Sequence, residues 1–292
     1  GTLASFVHFD RSYATIIQYY RLIDTLTPAD LQAAARKYLT DEGLVVTTLS
    51  HQPMAAAIAT TPKLASLLPA ASNAKFDVLV QKSALPQIRY KLLFMAGSAQ
   101  DPQGKEGLAA LTAAMVASGG SSERKIDEVN QALFPLAGSF SQQTDKEMTT
   151  FTGSIHKDNW TQFNAIALPL LLSPGFREDD FRRLKDAQKN ALLLDLKDNN
   201  EEEFAKERLQ TNVYAGTPYG HPVLGTVAGI DAITLDDVKQ FWKSAYAQGA
   251  VKVGISGDVS DAMTASLTQA LGKLPAGPGL PATVKPAGRK AQ

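Results

Sequence analysis

Cysteine is absent from the sequence, and neither sign of charge is in excess. Among the 292 residues, 29 are Lys or Arg and 29 are Asp or Glu, so the formal net charge is zero. The missing cysteine excludes disulfides, thiolate zinc sites, iron–sulfur clusters and a cysteine nucleophile, and it leaves the redox compartment open. The balanced charge argues against a nucleic-acid interface, because such interfaces need clustered basic residues.

Long apolar runs are also missing, so the sequence predicts no membrane span. The apolar residues near the start are interrupted at once by Asp10 and Arg11. Apolar residues nevertheless make up 44% of the chain against 20% charged, which is enough to bury a sizeable core. The length is typical of two domains rather than one. We therefore expect a globular chain built from two parts.

Hydrophobic periodicity predicts an α+β fold. Helical spacing covers residues 12–39, 105–117, 122–136, 159–172, 179–197, 201–214, 234–246 and 261–271. Strand-like segments cover residues 44–49, 76–81, 87–95, 139–143, 148–155 and 251–256. Because the strands group as hairpins and the helices occur in runs between them, we predict a mainly antiparallel sheet with helices packed on one face.

A pattern near the start recurs about 207 positions later, which indicates an internal duplication. Thr27 and Thr234 each begin a capped helix that leads through a glycine turn into a strand, and a Pro-rich stretch follows both copies. Coincidence is the alternative, since capped helices before strands are common. The duplication divides the chain into the C-terminal part of a preceding subdomain at 1–50, a linker at 51–75, a complete subdomain at 76–274 and a linker or tail at 275–292.

No local arrangement of residues supplies a metal site. The histidines are His8, His51, His156 and His221. None lies three or four residues from another, the spacing that places two imidazoles on one helix face. A metal site would need His156 and His221 to converge in the fold, which is the weaker alternative. The loop around His221 fits a structural turn, because Gly220 and Pro222 flank it, and a functional loop is the other interpretation.

Several short strings follow one another through residues 76–274. They include Ala96-Gly97-Ser98-Ala99-Gln100-Asp101-Pro102, Gly107-Leu108-Ala109, Ser173-Pro174-Gly175-Phe176, Tyr219-Gly220-His221-Pro222 and Gly254-Ile255-Ser256-Gly257-Asp258-Val259. In this order they resemble the pitrilysin/insulinase family of zinc peptidases, which includes the mitochondrial processing peptidases. The resemblance implies the processing-peptidase-like fold for 76–274 and the end of a similar subdomain before it.

Active members of that family carry H-x-x-E-H, in which two histidines bind zinc and the glutamate activates water. The corresponding residues here are Ala110-Leu111-Thr112-Ala113-Ala114, so Ala110 and Ala114 replace the histidines and Ala113 replaces the base. The family's distant glutamate ligand should fall within residues 184–190, which contain no glutamate. The resemblance therefore implies that this chain has no catalytic residue, no metal ligand and no cofactor of its own.

The substrate-facing hairpin of the family aligns from Gly138 onward. The family usually has an Asn-Ala pair where Ser141 and Gln142 stand here, which is a departure from its pattern. With the next residue, Gln143, these two are the candidate peptide-facing positions that the resemblance implies.

The function implied by the resemblance is that of a non-catalytic portion of a bacterial tandem zinc metallopeptidase. Such a portion helps to enclose peptide substrates for a zinc-bearing half, which belongs to the same polypeptide or to a partner subunit. The parent would be a zinc metalloendopeptidase, while this chain alone would be inactive. The alternative is a scaffold or interaction protein of the same fold with no proteolytic role. Many tandem bacterial members are periplasmic, so the resemblance favours that compartment.

Overall fold

The computed structural model of the chain describes residues 14–42, 76–198 and 200–281. These residues fall in two compact units, one within Gly1–Ala71 and the other within Ser72–Gln292. The strand predicted at 44–49 and the linker predicted at 51–75 lie outside the described residues. Every helix in the described ranges is too short or too polar to cross a membrane.

The first unit contains two helices, α1 (Ala14–Thr25) and α2 (Pro28–Tyr38). Thr27 caps α2, since its Oγ1 accepts a hydrogen bond from Asp30 N at 3.2 Å and its N donates to the Asp30 carboxylate at 2.9 Å. This capping box confirms the helix break predicted at Thr27. Large apolar side chains on both helices are exposed, among them Ile17, Tyr20, Leu22, Leu31 and Tyr38.

The second unit contains one five-stranded sheet and eight α-helices in its described residues. The strands are β1 (Asp77–Lys82), β2 (Gln87–Phe94), β3 (Ser139–Thr144), β4 (Thr149–His156) and β5 (Val251–Gly257). The helices are α3 (Leu108–Ser118), α4 (Ile126–Leu133), α5 (Trp160–Leu172), α6 (Glu178–Asn190), α7 (Glu201–Val213), α8 (Val227–Ala232), α9 (Leu235–Ala245) and α10 (Asp261–Leu271). A π-helical segment, Ala191–Asp198, continues α6.

The sheet has the order β1-β5-β2-β4-β3. Strand β1 pairs with β5 in parallel, and every other neighbouring pair is antiparallel. This topology confirms the predicted α+β class with a mainly antiparallel sheet. The parallel pair joins strands from the two ends of the unit, so β5 lies in the interior of the sheet next to β2.

Burial alternates along the strands, because helices cover only one side of the sheet. The buried side chains of β2 are Ile88, Tyr90, Leu92 and Phe94. The uncovered side, here called the open face, carries Gln81, Gln87, Arg89, Lys91, Ser141, Gln143, Thr152, Ser154, Lys252 and Ser256. Helices α3 and α5 contact the covered side. The predicted packing of helices on one face is confirmed.

Two boundaries differ from the sequence prediction for local reasons. Helix α3 begins at Leu108 rather than near residue 105, because Gly107 has φ +109°, outside the helical range. Helix α8 was not predicted, because its six residues include Gly229 and are too short to show helical periodicity. The Thr226 hydroxyl starts α8 by accepting a hydrogen bond from Gly229 N at 2.9 Å.

The first residues after α10 are attached to the second unit. Gln248 N donates to Pro275 O at 2.9 Å, Gly249 N donates to Gly277 O at 2.8 Å, and Gln100 Nε2 donates to Pro281 O at 2.9 Å. Leu280 packs against the hydrophobic core. Residues 275–281, at the start of the predicted tail, therefore form part of this unit's surface.

The close contact between Gly153 and Tyr90 makes Gly153→Ala a sensitive test of the core. A Cβ at Gly153 would lie 2.3 Å from Cζ of the buried Tyr90 ring, and the Tyr90 hydroxyl is already held by Asn164 Oδ1 at 3.0 Å. We expect this substitution to lower the free energy of unfolding by roughly 2–3 kcal/mol in urea titrations, because the ring has no room to move.

Gly254→Ala is the matched control. Gly254 lies in β5, on the other side of β2, and a Cβ there would meet nothing within 4 Å. The control should stay within about 0.5 kcal/mol of the parent chain. Equal losses for the two variants would contradict the close-contact explanation.

Candidate functional site: the start of helix α3

Helix α3 carries the three positions at which the family places its zinc motif. Ala110 and Ala113 are buried in it, and Ala114 is partly buried. The helix packs against α6, α9 and β3 and is apolar on all sides. Methyl groups neither bind a metal nor take up a proton, so these residues do not fit zinc. Across the described ranges, no three His, Asp or Glu side chains are close enough together to hold a metal ion.

The start of α3 is held by Asp101, six residues upstream of Gly107. Its carboxylate accepts hydrogen bonds from Gly107 N and Ala109 N, each at 2.7 Å. These N–H groups have no partner within the helix, so Asp101 acts as the cap that the glycine cannot supply. Burial raises the pKa of Asp101 to about 7, although both N–H bonds and the nearby Lys146 act in the opposite direction.

The carbonyl side of the same turn is held by Gln188 of α6. Its Nε2 donates to Gly107 O at 3.0 Å and to Leu224 O at 2.8 Å. Gln188 is buried and falls within 184–190, where the family's distant glutamate ligand was expected. An amide can donate to two carbonyl oxygens, whereas a carboxylate cannot. Within this window the structure therefore places a buried hydrogen-bond donor that holds two backbone carbonyl groups.

The loop that contains His221 closes against this turn. Gly225 has φ +88°, and a Cβ there would lie 2.0 Å from Glu106 O, so the approach requires glycine. His221 is partly buried, with Nδ1 2.9 Å from Pro222 O, and its carbonyl oxygen accepts a hydrogen bond from Lys146 Nζ. Desolvation lowers the pKa of Lys146, while the carboxylates of Glu207, Asp145 and Asp101 oppose the shift.

A cavity of about 580 Å³ lies between this loop and the start of α3, and its lining includes Asp101, Glu106 and His221. The hydrogen bonds of His221 and the close approach of Gly225 to Glu106 fit the interpretation of the His221 segment as a structural turn.

His156 and His221 do not converge. His156 is the last residue of β4, whereas His221 contacts Lys146, in the turn that precedes the first residue of that strand. Eight residues of extended strand span about 24 Å, so the two imidazoles lie near opposite ends of β4. Nδ1 of His156 instead lies 3.4 Å from the Asp158 carboxylate. The convergence of His156 and His221 that this alternative required is therefore not found.

The candidate peptide-facing residues lie on β3, an edge strand of the sheet. Ser141 and Gln143 are exposed on the open face. Gln142 lies on the covered side and is partly buried, and its Oε1 accepts a hydrogen bond from Thr144 Oγ1 at 3.3 Å. Only two of the three residues therefore share a surface.

Sequence analysis assigned no role to Asp101 or Gln188. Asp101 lies six residues before Gly107, whereas capping signals in sequence lie at the N-cap itself, so no local signal identifies this role. No local signal identifies Gln188, because its partners Gly107 and Leu224 are distant in sequence.

Residues 78–227, more than half of the chain, match the insulinase family, peptidase family M16. The chain belongs to this family. It is 29% identical over 208 residues to the non-peptidase homolog YmxG of Helicobacter pylori, covering 70% of this chain and 48% of that protein. It is 23% identical over 172 residues to an uncharacterized zinc protease of Rickettsia bellii, covering 59% and 41% of the two chains.

Solved structures agree with this assignment. The inactive domain of a peptidase M16 from Pseudomonas fluorescens superposes with a TM-score of 0.68 at 28% identity, over 74% of this chain and 53% of that one. The first half of the periplasmic protease PqqL from Escherichia coli shares the fold, with a TM-score of 0.62 at 17% identity, over 72% and 46%. The chain spans about half the length of the curated relatives it matches. The chain therefore has a non-catalytic insulinase-family fold.

Replacing Asp101 with Asn should change how stability depends on pH. Because the pKa of Asp101 is raised to about 7 in the folded chain, the folded state holds the proton more tightly than the unfolded state. The stability of the parent chain should therefore fall, relative to the variant, as the pH rises from about 4 to about 7, by roughly 2–4 kcal/mol in total. Urea titrations of both proteins at several pH values measure this difference, and parallel curves would contradict it.

Gln188→Glu tests whether α6 can accept the acidic residue of active relatives. At pH 7 a carboxylate would face two carbonyl oxygens with no proton to donate, so we expect a loss of about 2–3 kcal/mol in the free energy of unfolding. Gln240→Glu on the exposed side of α9 makes the same chemical change and should cost less than about 0.5 kcal/mol. Similar losses at the two positions would show that the Gln188 bonds do not matter.

Proposed function

We propose that this chain is the non-catalytic half of a tandem zinc peptidase and that it helps to enclose peptide substrates for a zinc-bearing half. The observation that carries this proposal is helix α3. It keeps its capped start, its buried position and its contacts with β3 and α6, while alanine stands at all three motif positions. The fold of the peptidase unit is thus retained without its chemistry. Zinc would be supplied by the other half.

Two comparisons support a role within a larger assembly. The chain corresponds to about half the length of its relatives, and it shares its fold with the first half of a periplasmic protease. That relative is also the reason to expect the periplasm as the compartment. A polypeptide of two such halves would place a degenerate unit beside an active one, with linkers at 51–75 and 282–292 joining successive subdomains.

The first unit supports the proposed domain order. Helices α1 and α2 expose apolar side chains that include Tyr20, Leu31 and Tyr38. Exposed apolar surface of this kind marks a contact with further protein. We propose that residues 1–50 complete a preceding subdomain, whose remaining elements cover this surface.

A scaffold without proteolytic function is the second candidate. The observation in its favour is the name of the Helicobacter pylori relative, a non-peptidase homolog. In that case the fold would serve assembly with another protein, and no zinc-bearing half would depend on it.

Complementation separates the two candidates. Zinc content and cleavage of a fluorogenic peptide would be measured for this chain alone and after mixing with the half that carries H-x-x-E-H. We expect no stoichiometric zinc and no cleavage by the chain alone, and an increase of at least about tenfold in chelator-sensitive cleavage on mixing, because enclosure positions the peptide.

Each other outcome contradicts the proposal in a specific way. Stoichiometric zinc or chelator-sensitive cleavage by this chain alone would mean that it contains a site of its own. Equal cleavage by the zinc-bearing half with and without this chain would favour the scaffold.

A further inference from the structure

The open face of the sheet carries two cations without partners. Arg89 and Lys91 occupy alternate positions on β2 and point to the same side. Within the described residues, neither side chain makes an ion pair or a hydrogen bond. Lys252, the other cation of this face, lies 4.0 Å from the Asp77 carboxylate. Arg89 and Lys91 therefore give the open face a local positive charge that no described carboxylate balances.

The surroundings of these cations are mixed, because hydroxyl groups flank Arg89 while the exposed Leu79 lies beyond Gly254 in the row of Lys91. Arg89 lies in register between Ser154 of β4 and Ser256 of β5, and Lys91 lies between Thr152 and Gly254. Ser154 Oγ accepts a hydrogen bond from Gln87 Nε2 at 3.0 Å and keeps its own proton to donate to an anion, whereas the Ser256 hydroxyl already donates to Arg89 O at 3.4 Å. No carboxylate stands among these four flanking residues to repel one.

Two depressions meet at Arg89. One has a volume of about 440 Å³ and includes Gln87, Ser154 and Ser256 in its lining. The other, of about 160 Å³, includes Lys91 and Gly254, and Arg89 lines both. Gly254 lines the second depression, and a Cβ there would meet nothing within 4 Å. We call the two depressions together the Arg89 groove.

We propose that the Arg89 groove binds an acidic segment of an extended peptide, with two carboxylates placed two residues apart on Arg89 and Lys91. Alternate residues of a strand are about 6.6 Å apart, and an extended peptide has the same repeat, so both ion pairs can form at once. The guanidinium of Arg89 can hold its carboxylate through two parallel hydrogen bonds. This inference names the substrate class of the proposed function and rests on it.

The undescribed parts of this chain do not match that ligand. Residues 1–13, 43–75, 199 and 282–292 contain a single acidic side chain, Asp10, and therefore no pair of carboxylates. Charge complementarity thus points to an acidic peptide from another molecule.

The test is fluorescence anisotropy with the full chain at low salt and labelled peptides that carry neutral termini. A Glu-x-Glu peptide is expected to bind at least about tenfold more tightly than its Gln-x-Gln counterpart, because both ion pairs are lost in the latter. The double variant Arg89→Gln with Lys91→Gln should lose this preference. Arg89→Lys keeps the charge but not the two parallel hydrogen bonds, so it should bind with intermediate affinity.

The matched control is Lys239→Gln with Lys273→Gln. It makes the same change in net charge at exposed positions outside the sheet, and it should keep the preference. Equal affinity of the parent chain for the Glu and Gln peptides would overturn the inference. An equal loss of the Glu preference in the control variant would also overturn it, because the preference would then come from overall net charge. A third peptide with a free C-terminal carboxylate and no acidic side chain should bind weakly. Tight binding of that peptide would assign the groove to chain ends instead.

Failure of this inference can be told apart from failure of the proposed function. A chain that restores cleavage on complementation but shows no acidic preference keeps the proposed function and loses the inference. A chain that binds the Glu-x-Glu peptide but never supports cleavage loses the proposed function, while the groove remains an acidic-peptide site.

Discussion

The start of helix α3 depends on one small turn whose backbone is held from both sides. Asp101 accepts the N–H groups of Gly107 and Ala109, and Gln188 donates to the carbonyl oxygen of Gly107. Thr226 N donates to Glu106 O at 3.3 Å, so the beginning of α8 is attached to the same turn. The turn, α3 and α8 are therefore held in place by hydrogen bonds to backbone groups. These bonds form only when the three elements lie in this arrangement.

That geometry explains how the unit keeps its architecture without its chemistry. This helix start positions Ala110 and Ala113 in buried surroundings and Ala114 in partly buried ones. Alanine side chains at these positions are small enough for α3 to pack against its neighbours, and they offer no atom that could bind a metal. The hydrogen bonds around Gly107 thus stabilise this helix start without a metal.

Sequence patterns predicted most of the elements, because each depends on local periodicity or on a cap. Thr27 and Thr234 signalled their helices directly, and the loss of the zinc motif was visible in Ala110 to Ala114. The parallel pairing of β1 with β5 was not predictable, since it joins segments from the two ends of the unit. The role of Gln188 was not predictable for the same reason, because its partners are distant in sequence. The side of the sheet on which Gln142 lies could be assigned only from the register of β3 with β4.

Register also joins two surfaces that sequence analysis could not relate. Lys91 pairs with Thr152, and Thr152 pairs with Ser141, so these residues form one row across β2, β4 and β3. Adjacent strands lie about 4.8 Å apart, which puts Ser141 about 10 Å from the Arg89 groove on the same open face. The edge strand suggested by the family resemblance and the cations found from the structure therefore belong to the same face of the sheet. A peptide enclosed against this side of the sheet would meet both.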